Sequence, residues 1–225
     1  MAISFVGAAG GTTSVTIPEH KIGDFMIAFA FRDGSTTNPT IGTGSPTAWT
    51  SITNTTDGTS CSLSMGWKIA ASTSETTGTW TNASRMLVAV YRGQLSSGTP
   101  IGTFNPGAGT TDPVNYPATT LANSNVSGSS WWLAFAGHRS IDTSLDNPPS
   151  GMVSTHNSVD AVCEISSFDT GGPATGNWPS TNVTVSGTAS GWQTVVVELK
   201  AEPWVLNNFK FVRAASGISV SEKIR

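Results

Sequence analysis

The residues of this chain that could act as nucleophile, base or metal ligand are few. Three histidines, His20, His138 and His156, and two cysteines, Cys61 and Cys163, stand among 225 residues. A nucleophilic triad needs Ser, Thr or Cys beside a histidine and a carboxylate. Ser and Thr fill 62 positions, so a neighbouring serine identifies nothing, and no Gly-X-Ser-X-Gly elbow falls in a strand–turn–helix context. Glycoside hydrolysis needs two carboxylates held across a cleft, whereas Asp57, Asp112, Asp142 and Asp146 are scattered through predicted loops. Asp142 and Asp146 with Asn147 offer oxygen ligands for Ca²⁺, but their spacing matches no closed loop motif. There is no His/Cys cluster for zinc and no phosphate loop. The expectation is a chain without catalytic residues, cofactor or metal.

The elements that would have to position such groups are strands. Ser, Thr and Gly favour strands and turns, while Glu, Lys, Gln and Leu, which favour helices, are scarce. Apolar runs separated by Gly, Pro, Asn and Ser clusters predict strands near 3–6, 14–17, 24–31, 60–69, 86–92, 131–138, 161–168, 183–186 and 192–200. Loops are predicted at 105–109 and 169–173. Eight Trp and nine Phe supply a core.

The two halves of the chain resemble each other. Asp24-Phe-Met-Ile-Ala-Phe-Ala-Phe-Arg32 matches Ser130-Trp-Trp-Leu-Ala-Phe-Ala-Gly-His138, at an offset of 106. Further landmarks keep the same order: Trp49 to Ile52 with Met152 to Thr155, Cys61 with Cys163, Gly78-Thr-Trp80 with Gly176-Asn-Trp178, and Leu87 to Tyr91 with Thr194 to Glu198. The fold class read from this is all-β: an antiparallel β-sandwich of jelly-roll type over residues 1–200, with pseudo-repeats at about 24–93 and 130–199. Phe25, Ile27, Phe29 and Phe31, with Trp131, Leu133 and Phe135, form the predicted inter-sheet face. Met26, Ala28, Ala30, Trp132, Ala134 and Ala136 form a second apolar face. A terminal segment or a neighbouring subunit is expected to cover it.

The repeat also orders the polar candidates. His138 aligns with Arg32 and Arg139 with Asp33, which suits polar groups pairing at matched strand ends. Cys61 and Cys163 read as free buried thiols, a disulfide requiring that the pseudo-symmetry bring them together. Trp49, Trp80, Trp178 and Trp192 read as core, with a glycan-stacking platform as the alternative.

Residues 201–225 differ from the rest. They carry four Lys/Arg against two Asp/Glu, net +2, where residues 1–200 carry seven against twelve, net −5. Pro203 ends the last strand, and the segment beyond it is too apolar for a solvated tail. It is expected to be an extended C-terminal docking arm, with Trp204, Leu206, Phe209, Phe211 and Arg213 as partner-binding residues. Docking onto a neighbour and packing onto the small-residue face of the same sandwich are the two readings. The acidic body makes nucleic acid an unsuitable partner, and no apolar run approaches the ~18 residues of a membrane-spanning helix. The first eleven residues do not read as a secretion signal, which predicts synthesis and folding in a cytoplasm.

The motifs Gly23-Asp-Phe-Met-Ile-Ala-Phe-Ala-Phe-Arg-Asp-Gly-Ser35, Gly66-Trp-Lys-Ile-Ala-Ala71, Gly78-Thr-Trp80 and Leu133-Ala-Phe-Ala-Gly-His-Arg139 resemble a group of bacteriophage virion proteins encoded among structural genes. The resemblance spans about residues 23–199. It implies a virion component made in the host cytoplasm: a tail, collar or fibre-attachment subunit, or a capsid decoration. Its implied partners are other virion proteins and further copies of itself. The low charge and Ser/Thr/Gly-rich composition suit a durable particle, and equally an adhesin binding host surface glycans.

Overall fold

The computed structural model describes residues 2–122, 130–140, 147–185, 190–202, 210–214 and 217–221, and among them there is no helix. Two five-stranded antiparallel sheets face each other. The first holds β1 (Ser4–Gly11), β2 (Phe25–Asp33), β3 (Thr50–Thr56), β4 (Cys61–Ile69) and β5 (Arg85–Arg92), in the order β1-β5-β2-β4-β3. The second holds β6 (Ile101–Gly109), β8 (Ser130–His138), β9 (Val153–Val159), β10 (Glu164–Asp169) and β12 (Trp192–Lys200), in the order β6-β12-β8-β10-β9. Replacing β1 to β5 by β6, β8, β9, β10 and β12 turns the first order into the second. The short strands β7 (Val114–Tyr116) and β11 (Thr181–Val183) pair separately, as do β13 (Lys210–Ala214) and β14 (Gly217–Ser221).

The correspondence extends to details. A bulge breaks the β3–β4 ladder between Ser51 and Thr53, and one breaks the β9–β10 ladder at the matching step, between Ser154 and His156. Across the sandwich β1 lies against β9 and β3 against β6, β5 against β10 and β12 against β4, with β2 against β8. Those contacts come in equivalent pairs about one pseudo-two-fold axis, on which Phe29 and Phe135 stack at 5.8 Å with their planes 15° apart. A jelly roll weaves strands from both parts of the chain into each sheet. Here each contiguous half keeps its strands in its own sheet, so the sandwich is a face-to-face pair of repeats.

The register moves one landmark. Phe29 pairs with Leu87 and its equivalent Phe135 pairs with Val195, so Leu87 corresponds to Val195 and not to Thr194. Strand side chains alternate, and a slip of one residue exchanges faces. Leu87, Ala89 and Tyr91 indeed share the inter-sheet core with Val195, Val197 and Leu199. That core also contains Phe25, Ile27, Phe29, Phe31, Trp131, Leu133 and Phe135.

The second apolar face is covered, but chiefly by each half's own connections. Met26, Ala28 and Ala30 lie beneath Val15, Ile17, Trp49, Trp80 and Ala83. Trp132, Ala134 and Ala136 lie beneath Val114, Tyr116, Met152, Trp178 and Val183. Residues 14–17, expected as a strand, belong to this covering layer without joining a sheet. Residues 105–109, expected as a loop, complete β6. Pro106 is accommodated because β6 is an edge strand and one side of it needs no ladder donor.

Candidate functional site

The histidines occupy three separate environments. His20 is buried before β2, with Nδ1 2.7 Å from the Pro18 carbonyl and Nε2 accepting the Glu75 N–H at 3.3 Å. His138, at the end of β8, is fully buried with Nδ1 3.0 Å from both the carbonyl and hydroxyl oxygens of Ser140; its Nε2 is 4.0 Å from Asp112. His156 is on β9, where burial and the neighbouring Arg85 guanidinium hold its pKa below the ordinary value.

Both cysteines are free and buried, Cys61 as the first residue of β4 and Cys163 just before β10. Burial pushes each thiol up to about 12, so both stay protonated at neutral pH and are poor nucleophiles. Before each stands an aspartate that closes the turn. Asp57 accepts the N–H groups of Thr59, Ser60 and Cys61, and Asp160 those of Val162 and Cys163. Burial alone would raise both carboxyls, but these hydrogen bonds outweigh it and hold them below the ordinary range.

Asp33 and Arg139, matched by the repeat, meet directly: Arg139 Nε is 2.5 Å from Asp33 Oδ1. One ion pair therefore ties the end of β2 to the residue following β8, across the two halves. Arg32 turns away to the Thr37 carbonyl. A second tie is Tyr91, whose hydroxyl donates to Asp169 Oδ2 at 3.1 Å between the sheets. Burial raises the Asp169 carboxyl above its usual value.

The strongest buried polar arrangement was not legible in the sequence. Lys68 and Glu75 form an ion pair of 2.7 Å with both side chains fully buried. The ammonium also donates to the Thr76 carbonyl at 2.8 Å and lies 4.8 Å above the Trp49 ring. Glu75 accepts the Ala71 N–H and the Thr47 hydroxyl. Every partner lies in the covering layer of the first half, where the cluster fixes loops to the back of the sheet. In the second half Thr170 stands in place of Lys68. There a hollow of about 380 Å³ opens beside Trp132, Thr170, Pro173 and Trp178.

Trp49, Trp80, Trp178 and Trp192 are all buried, at no more than 9% exposure. Their indole faces are packing surfaces. Among the described residues no three His, Cys, Asp or Glu side chains converge as metal ligands, and Asp142 and Asp146 lie outside those residues.

Of the arm, Trp204, Leu206 and Phe209 lie outside the described residues. Phe211 and Arg213 are in β13, where the register sets them opposite Val220 and Ile218 of β14. The sandwich itself runs past residue 200. Ala201 is buried in the inter-sheet core and bridges Gln94, and Glu202 accepts the Ser96 N–H. Comparison of the chain with protein-family models, with curated proteins and with solved structures returned no match.

Proposed function

We propose that this chain is a structural component of a bacteriophage particle, a tail, collar, fibre-attachment or capsid-decoration subunit, that acts by protein–protein assembly and not by catalysis. One observation carries the reading. The small-residue faces that the apolar C-terminal segment would need for self-packing are already buried beneath the chain's own loops. A segment holding Trp204, Val205, Leu206, Phe209, Phe211 and Val212 then finds its surface on a neighbour. Charge favours the same outcome. Residues 1–202 carry seven Lys/Arg against thirteen Asp/Glu, net −6, and residues 203–225 four against one, net +3. The virion-protein resemblance of residues 23–199 supplies the kind of neighbour: other virion proteins and further copies of the chain, joined after synthesis in the host cytoplasm. The acidic body suits neither nucleic acid nor an anionic membrane surface. The glycan-binding alternative draws no support from the four tryptophans, since all of them are buried.

A chain ended after Glu202 should fold, keep its thermal midpoint within a few degrees and fail to enter particles. Ending it after Glu202, and not after Lys200, spares Ala201 and the Ser96 hydrogen bond. Thermal melts together with particle incorporation check this. Normal incorporation of the shortened chain would overturn the docking role of the arm.

A further inference from the structure

The internal repeat supplies its own control for what is unusual on the surface. Strands β3 and β9 are equivalent edge strands, each paired on one side only, with β4 and β10. Register makes Thr50 the counterpart of Val153 and Thr56 the counterpart of Val159. Counting back from Cys61 and Cys163 makes Ser60 the counterpart of Val162. The first half therefore carries hydroxyl side chains at three positions where the second carries valines, and those valines are 52%, 47% and 56% exposed. An edge with a free row of N–H and C=O groups is a template for another strand, and proteins ordinarily blunt it with polar residues or proline. Of the four edges, β3 is polar and β6 carries Pro106; β1 lacks proline but exposes one large apolar side chain, Phe5, whereas β9 lacks proline and exposes valine at both ends.

We propose that the outer edge of β9 is an interface that accepts the C-terminal β13–β14 hairpin of a second copy of this chain. The inference rests on the reading that the arm docks onto a neighbour and names that neighbour's surface. One general property of hairpins and two observations select the occupant. A two-stranded hairpin on its own is marginally stable in water and gains most by joining a larger sheet. Strands β13 and β14 form such a two-stranded sheet, separate from both sheets of the sandwich. The hairpin contributes Lys210 and Arg213, and the β9–β10 turn contributes Asp160, which hydrogen bonds keep ionised between Val159 and Val162. The addition follows the strand-augmentation mode, with main-chain hydrogen bonds supplying affinity and Val153, Val159 and Val162 supplying specificity. Because one copy's arm meets a different surface on the next copy, the contact closes as a two-fold dimer where two copies exchange arms and builds rings or open chains where the exchange is not reciprocal.

The test is complementation between full-length chains in solution, read by sedimentation. An edge variant, Val153→Thr, Val159→Thr and Val162→Ser, copies the first half and keeps its arm. An arm variant, Phe211→Ser and Val220→Ser, keeps its edge. The wild type should self-associate, as an arm-exchanged dimer or a larger assembly, and each variant alone should associate at least about tenfold more weakly with an unchanged melting temperature. Their equimolar mixture should form a one-to-one pair. If the triple edge variant loses stability, Val162→Lys alone, in an exposed turn, serves as the edge variant. A monomeric wild type, an edge variant that associates as the wild type does, or a mixture that forms no pair would each overturn the proposal. Arm-dependent entry into particles without self-association in solution would overturn this interface alone, leaving the structural reading in place with a different protein as the arm's neighbour.

Discussion

Replacing Phe29 with alanine is expected to destabilise the sandwich by about 3 to 5 kcal/mol, and replacing Phe135 by a similar amount. Both rings are fully buried, and the pseudo-symmetry sets them against each other on the axis. Each belongs to the central strand of its sheet, so a cavity there is lined by residues of both halves and cannot close by a shift of one loop. A domain of this kind is stable by ~5–15 kcal/mol, so a single truncation removes a large part of that. The double variant should cost less than the sum of the singles by about 0.5 to 1.5 kcal/mol, because the stacked pair is lost only once. Urea unfolding of the three variants measures all these quantities. Losses below about 1 kcal/mol at both positions would mean that the assignment of strand faces is inverted, and strict additivity would mean that the two rings do not share one core.

The second large effect is expected at Lys68. Its removal by Lys68→Ala leaves the Glu75 carboxylate buried and unpaired, which costs about 3 to 5 kcal/mol, whereas replacing both partners by well-packed apolar residues costs much less. The pH dependence follows from the same pair. Burial acts to raise the Glu75 carboxyl, but the Lys68 hydrogen bond, the Ala71 N–H and the Thr47 hydroxyl overcome it and lower its pKa from 4.5 to about 2. A carboxyl whose folded pKa is depressed stabilises the protein fully above its unfolded value and loses that contribution as pH falls through the folded value. Wild-type stability should therefore fall between about pH 5 and 2. A Lys68→Met, Glu75→Leu chain should fall less steeply over that window, other carboxylates being common to both. Parallel pH profiles for the two chains would show that Glu75 is not held ionised by this pair.

Much of this fold was legible because Phe25–Phe31 and Trp131–His138 are apolar on both faces. Only a covered central strand tolerates that, and two such runs at a constant offset announce a repeat. The edge strands were harder to read. Thr50–Thr56 and Val153–Val159 are mostly Thr, Ser and Asn, whose side chains fit loop and solvated edge alike, and Pro106 with Gly107 disguised β6. The slip of one residue between Leu87 and Thr194 arose because Thr194-Val-Val-Val197 has no strong alternation, so only the ladder fixes its faces. The Lys68–Glu75 pair left no trace in sequence. A lysine in a strand ordinarily points to water, and its partner comes from a Ser/Thr-rich loop seven residues on. The arm was recognisable from its charge and apolar content, but its boundary was placed two residues early, since Ala201 looks no different in sequence from a linker residue.

We propose that this sandwich is built into a particle, with its apolar arm seated on a neighbour. Quantitative mass spectrometry of purified phage particles from a host carrying the gene tests that most directly. The prediction is a chain present in every particle, at a copy number fixed by the particle's symmetry and constant between preparations. Absence from washed particles, or a trace amount that varies with the preparation, would contradict it.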